Sequence, residues 1–153
     1  MKICFPFFAL ALLVGAHEAS AVCPTPGYIR VNSQGFFDLF LPGRYVCAQR
    51  GSDTWRECHG TISGTTCTGS ADLWDLKRGA GDPVDPSEKV GEWRISGTDG
   101  VDKVVTYDYG TGGAYTYQLW VDLGSTPVRA DFCGTSPAPN DVTGATLQLG
   151  ACP

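Results

Sequence analysis

Beyond Gly15 the chain contains no long apolar run, and its basic residues stand singly apart from the pair Lys77-Arg78. A spanning helix needs roughly 20 apolar residues, so no membrane span is expected. Nucleic acid is a poor partner for a chain of net charge −5 without a basic cluster, because phosphate neutralisation dominates that affinity. There is no Cys-x-x-Cys pair, phosphate loop or dinucleotide fingerprint, so nothing asks for a metal or a cofactor. Histidine is almost missing: His17 and His59 are the two. A serine or cysteine hydrolase needs such a base, and His59 beside Cys58 cannot simply activate its neighbour, since adjacent strand residues point to opposite faces. The sequence therefore predicts a protein that is not an enzyme. No internal repeat and no strong amphipathic helix is visible.

What is present begins with a targeting signal. Met1-Lys2, a nearly continuous apolar run from Ile3 to Gly15 and the small residues Ala19-Ser20-Ala21 have the layout of a secretory signal peptide, residues 1–21. Residues 22–153 then form one domain, exported to the periplasm or beyond, large enough for a modest core. Cys4 leaves with the signal. Cys23, Cys47, Cys58, Cys67, Cys133 and Cys152 remain, an even set that implies disulfides in an exported domain. Six cysteines allow fifteen pairings. Loop geometry favours Cys58–Cys67 across a short Gly/Thr loop. It favours Cys23–Cys152 between the chain ends, which usually lie close together, and leaves Cys47–Cys133.

The strongest periodicity runs from Val90 to Val121. Val105, Tyr107 and Tyr109 share one face of one run, and Tyr115, Tyr117, Leu119 and Val121 share one face of the next. Gly110-Thr111-Gly112-Gly113 supplies the hairpin loop between them. Further strands are predicted at 44–49, 54–59, 72–77, 91–95, 128–133 and 145–149, with a Gly/Thr/Ser loop at 60–70. Phe36 to Leu41 reads as a helical turn or plug ended by Pro42-Gly43. About eight short strands and brief turns predict an all-β domain, a small antiparallel barrel or alternatively a β-sandwich. The barrel is favoured because closure removes the exposed edges that pair with other chains.

Gly91-Glu92-Trp93 resembles the Gly-x-Trp opening of lipocalin and avidin-type barrels, in which the tryptophan closes one barrel end. In those families the triplet sits on the first strand; here several strands precede it, and Gly43-Arg44-Tyr45 holds the earlier place. The wider pattern, from Leu73-Trp74-Asp75-Leu76-Lys77-Arg78 to the Tyr-x-Tyr strands, also resembles small exported bacterial proteins of uncharacterised function. The first resemblance implies an eight-stranded barrel that binds small apolar or amphipathic molecules; the second implies a bacterial envelope protein and no activity.

Candidate binding residues are the large aromatics: Trp55, Trp74, Trp93, Tyr107, Tyr109, Tyr115, Tyr117 and Trp120. Such side chains bury large areas and still offer a polar tip, in a core or in a pocket alike. Trp120 falls on the opposite face from Tyr115 and Tyr117. The Gly- and Pro-broken loop at 78–89 brings Asp82, Asp85 and Glu88 as oxygen donors without the spacing of a calcium loop; Asp99 and Asp102 read as turn residues. Were the domain a glycosidase, Glu57 and Glu92 would be the first carboxylates to try. The expected function is non-enzymatic binding of a small molecule or envelope component, with a protein-interaction module carrying an exposed aromatic face as alternative and a carbohydrate-active enzyme third.

Overall fold

The computed structural model describes residues 23–50, 53–63, 66–75, 87–135 and 141–153. Nine strands follow one another: β1 (Ile29–Val31), β2 (Tyr45–Arg50), β3 (Asp53–Ser63), β4 (Thr66–Asp75), β5 (Glu88–Ser96), β6 (Val104–Asp108), β7 (Ala114–Asp122), β8 (Val128–Gly134) and β9 (Val142–Gln148). The helix α1 (Gln34–Phe40) lies between β1 and β2. Each strand from β2 to β7 pairs antiparallel with the next, β9 pairs with both β2 and β8, and β8 returns to β7. The result is a closed eight-stranded barrel. It settles the choice between barrel and sandwich. Strand β1 is the ninth, laid along the C-terminal half of β7 beyond the reach of β6.

Alternation decides what fills the barrel. On β7 the inward stripe ends in Leu119 and Val121, and the neighbouring strands add Val105, Ala130, Ala145 and Leu147, all fully or almost fully buried. Ser33 caps α1 by accepting from the Phe36 amide, and Leu41 ends it in a non-continuing turn. Seven residues make no stable helix alone. What holds this one is its inner face, where Phe37 and Leu41, four residues apart, are completely buried and plug one barrel end.

Three corrections to the sequence reading follow from this topology. The predicted loop at 60–70 is mostly strand: β3 continues to Ser63 and β4 starts at Thr66, because threonines suit a pleated surface. The bulge between His59 and Thr61 falls at Gly60, where a Cβ would overlap the Thr68 carbonyl, so glycine is required by close approach. The loop predicted at 78–89 ends earlier than expected, since Glu88 and Lys89 open β5, while Asp82 and Asp85 lie outside the described residues. Residues 1–22 also lie outside them.

The third correction concerns the disulfides. Cys58–Cys67 bridges as expected, but the other pairs are Cys23–Cys133 and Cys47–Cys152, in place of Cys23–Cys152 and Cys47–Cys133. Each terminus is stapled to the barrel wall instead of to the other terminus. The N-terminal segment runs along β8, where Asp131 accepts the Thr25 amide at 2.7 Å, and this brings Cys23 to Cys133. Strand β9 pairs with β2 through Cys47 and Thr146, so the few residues after β9 return Cys152 to Cys47. Three disulfides fit an oxidising compartment.

Candidate functional site

Away from α1 the interior is not filled. A cavity of about 310 Å3 opens among Val46, Ala48, Trp55, Glu57, Tyr107, Tyr109, Tyr115, Tyr117, Phe132 and Val142. Strand direction explains its place. β2 and β3 bring Ala48, Trp55 and Glu57 to the end remote from the helix, and the β6–β7 hairpin brings its tyrosines there. Ala48 opposite Trp55 and Val46 opposite Glu57 are short side chains facing longer ones, which leaves room.

Five of the eight aromatic candidates line this space: Trp55, Tyr107, Tyr109, Tyr115 and Tyr117. Trp93 faces the interior one layer deeper, packed edge-on against His59 with ring centres 5.3 Å apart. Trp74 and Trp120 are on the outer face. Trp74 packs with Tyr45, Cys58 and Cys67 in a separate cluster around the disulfide, and Trp120 pairs across β7 with Arg30 and Asp131. The expected opposition of Trp120 to Tyr115 and Tyr117 thus holds. The glycosidase pair does not assemble, for Glu57 points into the barrel while Glu92 is exposed outside and held by Lys89 at 3.2 Å. Asp99 and Asp102 make turn contacts, to the Gln34 amide and Lys103 and to the Thr98 amide respectively.

Two polar pairs are set into the interior. Tyr109 donates its hydroxyl to the Glu57 carboxyl at 2.9 and 3.2 Å. One layer nearer the helix, the Tyr107 hydroxyl meets His59 Nε2 at 2.7 Å, and their rings pack edge to face. Burial pushes Glu57 up to about 7; the Tyr109 hydrogen bond opposes this and the Asp75 carboxylate adds to it. Burial pulls His59 down to about 3 against the pull of the Arg44 carbonyl, so the imidazole is neutral and its hydrogen-bond role follows its tautomer. Both tyrosines are pushed well up, first by burial and then by the Glu57 charge. At neutral pH both phenols therefore keep their protons, and Glu57 is the group poised to change charge.

Sequence reasoning does not single out Val46, Ala48, Phe132 and Val142 as lining residues, and it names Glu57 only as half of a glycosidase pair. One signal for Glu57 was available: it is an acid on the inward register of a strand whose neighbours there are Trp55 and His59. The fold and the cavity define a disulfide-stapled, closed eight-stranded barrel with an aromatic-lined opening at one end. No family model, curated protein or solved structure matches the chain.

Proposed function

We propose that this barrel is a non-enzymatic binding domain that takes a small, flat molecule into its aromatic cavity. The observation carrying the reading is the cavity itself, a concave space walled by aromatic rings and short aliphatic side chains, with phenol and carboxyl groups making its surface as polar as it is apolar. Its volume suits a compact ligand, near the lower end of known pockets. A carrier or receptor role outside the cytoplasm is in keeping with the three disulfides, which fit an oxidising compartment, and with the leader expected at residues 1–21. A nucleophile beside a strong base at His59 would argue for catalysis, but its partner is the Tyr107 phenol, held well up by burial, and burial makes the imidazole a weak base at about 3.

The test is an NMR titration of the disulfide-bonded protein with a fragment library of small aromatic molecules, read at the Trp55 indole. Hits should perturb Trp55, and Ala48→Trp, which fills the cavity from the facing strand, should abolish them while leaving the fold intact. A library without hits, or hits that survive Ala48→Trp, would sink the reading.

A further inference from the structure

We propose that the ligand is a small organic cation, an ammonium group on a flat apolar body, with Glu57 as its counter-ion and the cavity tyrosines as its cage. This rests on the cavity being a ligand site and names the chemistry that site selects. Glu57 is 9% exposed and lines the cavity, and its hydrogen bond comes from a neutral phenol. The described side chains on the strands around it show what charge faces it. β4 presents Asp75, Glu57's register partner, and β5 presents Glu88, the register partner of Asp75. β6 presents Tyr107 and Tyr109, and β7 Tyr115 and Tyr117; β2, β8 and β9 contribute Val46 and Ala48, Phe132, and Val142. No lysine or arginine is among the described lining residues. Lys89 of β5 is engaged outside with Asp72 and Glu92.

A buried carboxylate normally has a cation beside it, and the charge acting on Glu57 is another carboxylate. An ammonium ion in the cavity supplies a counter-charge that no described lining residue provides. An anion is repelled, and a neutral ligand desolvates the carboxylate without compensation. The walls point the same way. Tyr109 packs against Tyr115 at 6.0 Å and 64°, and Tyr107 against Tyr117 at 5.9 Å and 57°, so rings standing across one another offer both edges and faces to the space they share. Electron-rich ring faces attract cations, most strongly where water is excluded. Because Glu57 titrates near 7, an arriving cation captures its ionised form and expels the proton it held.

Isothermal titration calorimetry with three isosteric indoles separates the possibilities: tryptamine (cationic), tryptophol (neutral) and indole-3-acetate (anionic). At pH 8, tryptamine should bind at least about tenfold more tightly than tryptophol, the scale of a hydrogen bond to a charged group, and indole-3-acetate weakest. Between pH 7 and pH 5.5 tryptamine affinity should fall by up to about tenfold per pH unit. Near pH 7 its heat in two buffers of different ionisation enthalpy should report proton release, a measurement that needs no variant. Glu57→Gln should bring tryptamine down to the level of tryptophol. Equal or tighter binding of tryptophol, or tryptamine binding without pH dependence or proton release, overturns the cation assignment and leaves the cavity reading standing. Failure of all three indoles to bind overturns the assignment, and failure of the whole fragment library overturns the cavity reading as well.

Discussion

Strand β7 passes through both halves of the barrel and behaves differently in each. Toward α1 its inward residues are Leu119 and Val121, sealed by Phe37 and Leu41; toward the other end they are Tyr117 and Tyr115, which stand around open space. The alternation is the same, and the occupants of the facing strands differ. At one end a helix supplies two large side chains that no strand could deliver along the axis. At the other the facing strand offers Ala48 and Val46, and nothing among the described residues fills the gap. The polar pairs divide along the same line. His59 and the Tyr107 hydroxyl meet in a buried layer at the boundary, with the Tyr107 ring lining the cavity, while the Glu57 carboxyl and Tyr109 stand farther toward its open side. Stability is concentrated at the plugged end, which leaves the hollow end free to hold a group that is costly to bury.

Breaking the plug should have the largest effect. Phe37→Ala removes a completely buried ring and should cost about 3–5 kcal/mol, seen as a lowered midpoint in urea unfolding. The equivalent truncation at the hollow end, Tyr115→Ala, should cost less than half as much, since that ring borders space already open and partly exposed. Equal losses would mean that the two ends are packed alike.

Glu57→Gln should have the next largest effect, with the opposite sign. The folded carboxyl titrates near 7 against an ordinary value of 4.5, so it keeps its proton over a range in which the unfolded chain has lost it. Stability from this group is therefore present at low pH and is lost as pH rises from 4.5 to about 7, reaching about 3 kcal/mol. Removing the charge should stabilise the protein by up to that amount at pH 8 and by little at pH 4. His59 works the other way: its value falls from 6.5 to about 3, so its contribution is complete above 6.5 and declines below it. Between pH 4.5 and 6.5 the two slopes cancel, and the stability they set is flat. In Glu57→Gln the flat region should become a rise with pH up to 6.5, measurable by urea unfolding at half-unit intervals.

The filled and hollow ends were unequally legible in the sequence. Period-two runs mark β6 and β7 as strands, and a strand count with edge avoidance reaches the barrel. Strand β1 was missed because Ile29–Val31 is only three residues long and pairs only with the half of β7 that β6 leaves open. The termini were paired with each other because chain ends usually lie close; the strand order β2-β9-β8, which sends them to different strands, is a tertiary fact. The resemblance triplet stands on the fifth strand, and its glycine has a local cause: a Cβ on Gly91 would overlap the Asp108 carbonyl of β6. The five pocket aromatics stand among the eight named from the sequence, and the four tyrosines are placed by strand face. That space lies beside them depends on Ala48 and Val46 facing Trp55 and Glu57, which no local pattern announces.

The two tyrosine pairs sharpen the contrast at the smallest scale. Tyr107→Phe leaves His59 Nε2 without its partner in a sealed layer, so it should cost about 1–3 kcal/mol at every pH at which the imidazole stays neutral. Tyr109→Phe should cost less, about 1 kcal/mol, because Glu57 borders a cavity that water can enter. Its clearer signature is a titration. The Tyr109 hydroxyl stabilises the ionised carboxyl, so its loss should move the Glu57 midpoint further above 7, followed by carbon-13 carboxyl shifts. A midpoint that moved down would mean that Tyr109 accepts from a protonated Glu57 instead of donating to it. In that case the pair would be an acid held neutral by its surroundings and no waiting counter-ion, and the closed and open ends would differ in packing alone.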